Sequence, residues 1–125
     1  MTDTSSIRAI RLFNIHETEC AFETGSLSTQ VNMDATYFFA KTATDAQYTP
    51  HPAPRRQYVI TLKGKLEFKV TSGETFILEP GIILIAEDTA GPGHSWEIIE
   101  GEEWERIYIP IDAETVPNFI AAPQV

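Results

Sequence analysis

Residues 57–70, QYVITLKGKLEFKV, decide the fold. Residues 57–62 are rich in β-branched and aromatic side chains, which suit a pleated, half-buried strand. Residues 65–70 alternate: Leu66, Phe68 and Val70 point one way, and Lys65, Glu67 and Lys69 the other. A period of two with one wet face predicts a second strand. Lys63, Gly64 and Lys65 predict a tight turn between the two.

The same signals continue outward. Ser72 and Gly73 predict a turn, residues 75–79 a strand, and Pro80 and Gly81 another turn. Residues 82–86, IILIA, are apolar throughout, as in a strand buried on both faces. Residues 87–93 read as a loop, followed by two strands, 94–99 and 104–111, split by Gly101. Upstream, residues 36–41 predict a strand, and Pro50, Pro52 and Pro54 keep residues 43–54 extended. Residues 7–32 hold short apolar pieces such as Ile10, Leu12 and Phe13 without a clear period. Residues 1–6 read as a loose terminus. Residues 112–125 read as a tail, either a short helix or an extended segment across the barrel.

Short strands punctuated by Gly and Pro predict an all-β, double-sheet β-barrel of jelly-roll type. The expected organisation is an N-terminal segment (1–35) packed on a barrel (36–111), then the tail (112–125). Its core is expected from Leu66, Phe68, Val70, Phe76, Leu78, Ile83, Ile85, Ile107 and Ile109. Residues 57–62 and 82–86 are apolar on both faces. A second subunit is the expected cover for the outer one, and hence a homodimer.

The chain has 125 residues, one domain's length, and at 42% hydrophobic it can bury a real core without disulfides or a structural metal. Its only cysteine, Cys20, excludes an internal disulfide framework and reads as a small buried hydrophobe. A formal charge of −9 disfavours phosphate backbones and anionic lipid surfaces, so neither nucleic acid nor membrane is an expected partner. No apolar run reads as a signal peptide or membrane span, which makes a cytoplasmic protein the expectation.

Two stretches, HPAPRRQYVITLKG (51–64) and EPGIILIAEDTAGPGH (79–94), resemble the cupin superfamily, in particular small single-domain cupins. In its first motif, His51 stands at the first histidine, Ala53 at the second, Gln57 at the glutamate and Gly64 at the glycine. In the second, Pro80 and Gly81 open a strand that leads by a loop to His94. Asp45 replaces the opening glycine of the first motif and Ile98 the closing asparagine of the second. The resemblance implies one divalent transition metal (Zn, Fe, Mn or Ni) held by His51, Gln57 and His94. With two of the four usual ligands missing, it would be weakly held. No nucleotide cofactor is expected. Glu87 and Asp88 are further candidate ligands, and His16, the third histidine, lies in the segment without clear period.

The site is expected at the open end and interior of the barrel. His94 and Asp88 are the candidate proton-transfer groups, each with a plainer alternative: a half-buried strand histidine and a loop-capping aspartate. Adjacent Arg55 and Arg56 point to opposite faces, so one is expected inside, and Arg55 is taken as the catalytic and substrate-binding guanidinium. Trp96 is the expected pocket wall. The implied function is binding of a small organic molecule in the barrel interior, with isomerase, lyase, cyclase or oxygenase chemistry. A non-catalytic small-molecule binding protein is the alternative.

Overall fold

The computed structural model describes residues 5–123, so residues 1–4 of the expected loose terminus and the last two of the tail lie outside it. The described chain is all-β: nine strands and no helix. In chain order they are β1 (Ser6–Ile15), β2 (Glu19–Ser28), β3 (Phe39–Ala43), β4 (Gln47–His51), β5 (Gln57–Lys69), β6 (Thr75–Leu78), β7 (Ile82–Ala86), β8 (His94–Pro110) and β9 (Phe119–Ala121). They form one mixed sheet in the order β3-β8-β5-β7-β1-β2-β9, with β4 also on β8 and β6 also on β5. Only β1 and β7 run parallel; the other pairs are antiparallel.

The tight turn expected at residues 63–65 does not form, and neither does the break at Gly101. Residues 57–69 are one strand, and residues 94–110 are another. Each half of β5 pairs with β8, from Gln57 opposite Pro110 to Lys69 opposite Ser95, with register shifts between Thr61 and Leu66. The glycine thus marks a bulge rather than a reversal. Gly64 has φ 111°, and a Cβ there would lie 2.7 Å from the Glu103 carbonyl oxygen, so only glycine lets the two strands approach at the bend.

That bend lets the sheet curl. Phe22 on β2 packs against Phe76 on β6, ring centroids 4.7 Å apart, although three strands separate them in the hydrogen-bonded order. Cys20 and Thr71 close the gap further: each backbone N–H donates to the other residue, at 2.7 and 3.2 Å. The sheet does not close into a hydrogen-bonded barrel. Instead β2 and β6 face each other across a core, a shape compatible with a β-sandwich or jelly roll.

Residues 7–32 lack a period because β1 is buried on both faces. Ile10 and Leu12 join the inner cluster with Val59, Leu66, Phe68 and Leu84, while Ala9 joins an outer one with Tyr58, Ile83 and Ile85. β1 and β2 are therefore strands of the sheet itself and not a cover laid on it. Ile107 and Ile109, expected in the core, are half-buried; Ile109 packs on the outer cluster. The inward face of β8 is Trp104, Arg106 and Tyr108.

The chain's own tail covers part of the outer face of β5 and β7, while Leu62 on β5 stays 53% exposed. The tail runs extended, β9 pairs with β2, and Ile111 and Phe119 pack on the outer cluster. Gly25 makes room for it, since a Cβ there would meet the Phe119 ring at 2.7 Å. Replacing Phe119 with Ala should lower stability by about 1–3 kcal/mol, below the range for a fully buried phenylalanine because this ring is only partly covered. An unchanged urea midpoint would show that the tail does not cover this part of the face.

Candidate functional site

The curled sheet leaves a cavity of about 130 Å³ on its inner side. Val59, Phe68, Leu84, Trp96 and Trp104 supply apolar walls, and Gln57, His94 and Arg106 the polar groups that converge on it. A cavity of about 150 Å³ holds a benzene ring, so this one suits a molecule of that order of size.

His94 begins β8 and is fixed from three sides. Its Nδ1 lies 2.5 Å from Oδ2 of Asp88, its ring stacks on Phe68 at 5.4 Å, and its carbonyl accepts from Gln47 Nε2 at 2.6 Å. The Asp88 side chain is fully buried and that of His94 is 11% exposed. The loop from 87 to 93 brings them together. The Asp88 carbonyl accepts from the Ala53 N–H at 2.9 Å. Gly93, at φ 76°, lies flat on the His51–Pro52 peptide, where a Cβ would sit 2.0 Å from the His51 carbonyl oxygen. Only glycine turns the chain there and allows that approach.

Behind the pair, the Cys20 thiol donates to Asp88 Oδ2 at 3.4 Å. Burial first, then the Asp88 charge and this hydrogen bond, push the thiol well above the ordinary cysteine range. Cys20, Asp88 and His94 each offer a ligand atom, all within 4.8 Å of one another, so together they can hold a metal ion. Asp88 Oδ1 is buried without a hydrogen-bond partner.

Of the metal set implied by the resemblance, Gln57 and His94 line the cavity together and His51 does not. His51 is exposed on β4 and lines a separate surface groove with Tyr48 and Trp96, although its backbone pairs with that of His94. Pro52, Ala53 and Pro54 line the cavity consecutively, so the alternation that would turn His51 inward is broken by the prolines. Gln57 is buried and lines the cavity, but its Oε1 accepts from Arg55 Nη1 at 3.2 Å. Of His51 and His94, only His94 belongs to a cluster of His, Cys, Asp or Glu side chains among the described residues. His16 sits in the exposed β1–β2 turn at φ 57°.

Neither Arg55 nor Arg56 is the interior guanidinium. Arg55 is exposed above Phe39, 5.6 Å from the ring centroid. Arg56 turns to the outer face, where its Nη2 and Arg11 Nε pair with Glu87 at 2.8 and 2.5 Å, and Glu23 completes the network at 3.0 Å from Arg11. A larger hollow of about 400 Å³ lies beside that network. Its two cations and two anions are spent on one another, so it offers no unpaired charge to a ligand.

The interior cation is Arg106, 8% exposed, which the sequence reading missed. Its guanidinium carbon lies 4.2 Å from the Trp104 ring centroid and 5.3 Å from that of Tyr108. Nε donates to the Tyr108 hydroxyl at 2.9 Å and Nη1 to the Trp104 carbonyl at 3.3 Å. Among the described residues no carboxylate pairs with it. The signal was present: Trp104, Arg106 and Tyr108 share one face of a strand by period two. The apolar Ile107 and Ile109 on the other face drew the core assignment away from it.

No family model matches the chain, and no curated protein matches it in sequence.

Because the Cys20 thiol is enclosed and held protonated, it should resist iodoacetamide at pH 8 in the native chain and react fully in denaturing urea. Rapid native alkylation, read by mass spectrometry, would show that the wall behind Asp88 opens.

Proposed function

We propose that this protein binds a small organic molecule in the inner cavity and that His94, held by Asp88, transfers a proton to or from it. The observation that carries this reading is the enclosed Asp88–His94 pair at the wall of an aromatic cavity. With Asp88 ionised and accepting from Nδ1–H, Nε2 is the nitrogen left to take or deliver a proton, and the aspartate stabilises the imidazolium that forms. Buried surroundings keep water from competing and strengthen the pair. Many isomerase, lyase and cyclase reactions begin with such a step, and each class agrees with the cupin resemblance. That likeness to a fold family is a weaker warrant than the pair itself.

The test needs no known substrate. Wild-type protein incubated in deuterium oxide with a panel of small ketones and carboxylic acids should speed carbon–deuterium exchange in at least one of them, read by mass spectrometry. His94→Ala should lower the exchange by about 10²–10⁴-fold and Asp88→Asn should lower it as well, with the fold intact. Binding without exchange would favour the alternative of a non-catalytic small-molecule binding protein.

A second reading rests on the unpartnered Asp88 Oδ1. Cys20, Asp88 and His94 supply sulfur, oxygen and nitrogen donors, a set that suits Zn or another borderline-soft divalent ion. Such an ion would act as a Lewis acid beside the cavity. Cobalt(II) titration should then give a thiolate-to-metal charge-transfer band that Cys20→Ser abolishes and Gln57→Glu leaves unchanged. Absence of the band at millimolar cobalt would remove this reading and leave the proton-transfer pair standing.

A further inference from the structure

We infer that the molecule this cavity accepts carries a carboxylate, and that Arg106 is the residue that holds it. The inference rests on the proposed role of the cavity as a ligand site and goes further by naming the ligand's chemical class. A buried guanidinium normally meets a carboxylate, and Arg106 meets none among the described residues. Its cross-strand neighbours are Lys41 on β3 and Thr61 on β5, one cationic and one neutral. Thr61 Oγ1 accepts from the Trp104 indole N–H at 3.1 Å, and the structure gives it no bond to Arg106.

The guanidinium is nevertheless held rigidly. The Trp104 and Tyr108 rings flank it, and two of its five N–H groups are bound to the Tyr108 hydroxyl and the Trp104 carbonyl. The remaining donors belong to a side chain that lines the cavity. A fixed planar fork with free donors matches a carboxylate, which it binds through two parallel hydrogen bonds. Trp96, Val59 and Leu84 then cover an apolar body, and His94 lines the same small cavity. The volume of about 130 Å³ limits that body to a few carbon atoms or a single ring. A phosphate would bring more charge and more acceptor oxygens than one guanidinium can satisfy.

Trp96 and Trp104 are the chain's two tryptophans, and both line the cavity, so intrinsic fluorescence reports on it directly. Wild-type protein at pH 7 would be titrated with propionate, butyrate and benzoate, with the corresponding amides, and with inorganic phosphate. At least one carboxylate should give a saturable change with an affinity about 10–100-fold above that of its amide, and phosphate should give none. Arg106→Gln should erase the preference, and Arg106→Lys should keep part of it. Equal binding of amide and carboxylate by the wild type would overturn the inference and leave the cavity reading intact. So would phosphate binding in place of the carboxylates. No saturable change with any probe would overturn both. The wild-type comparison decides the matter even if the Arg106 variants fail to fold.

Discussion

Everything in this structure hangs on the ladder between β5 and β8. It runs the length of both strands, and at its middle the register shifts where Gly64 meets the Glu103 carbonyl. The bulge adds twist and bend without ending the pairing. Below it the ladder carries β7 and β1; above it the ladder carries β6. Because the two halves tilt toward each other, strands far apart in the sheet order come together, and Phe22 can reach Phe76. A flat sheet with the same pairings would have no inside.

The inside so formed holds polar groups that an apolar core would exclude. Arg106 and Asp88 are both buried, and burying an ion costs several kcal/mol unless partners compensate. Asp88 is compensated by His94 and Cys20 on one oxygen only. Arg106 is compensated by aromatic faces, each worth about 0.5–2 kcal/mol, and by two hydrogen bonds to neutral oxygens. On the outer face, by contrast, Glu87 is shared by Arg11 and Arg56 and no charge is left over. Asp88 Oδ1, beside the cavity-lining His94, is left without a hydrogen-bond partner. Residues that violate the usual pairing rules mark a functional site more reliably than the size of a hollow does.

Much of this was readable from particular residues. The alternation of Leu66, Phe68 and Val70 set their common face, and all three are buried in the inner cluster. The unbroken run IILIA was read as buried on both faces, and β7 is. The loop from Asp88 to His94 and the spacing of His94 and Trp96 on one strand are legible, and the structure pairs Asp88 with His94 and lines the cavity with His94 and Trp96. The exposed position of His51 is not legible from alternation, because Pro52 and Pro54 interrupt the strand between it and Gln57. The burial of Arg106 is not legible, because an arginine flanked at i−2 and i+2 by tryptophan and tyrosine looks like any exposed charge until the sheet is curled over it.

The sequence by itself determined that residues 57–110 are mainly strands, which of their faces are apolar, and that one loop joins Asp88 to His94, because these are local properties of period and turn chemistry. Only the tertiary structure decided whether a glycine reverses a strand or bends it, because that depends on which distant strand supplies the hydrogen bonds. The same long-range pairing decided that β1 and β2 belong to the sheet and that the chain's own tail covers part of its outer face. It also decided that the interior cation is Arg106 rather than Arg55 or Arg56, since burial of a side chain is set by what the curled sheet brings over it.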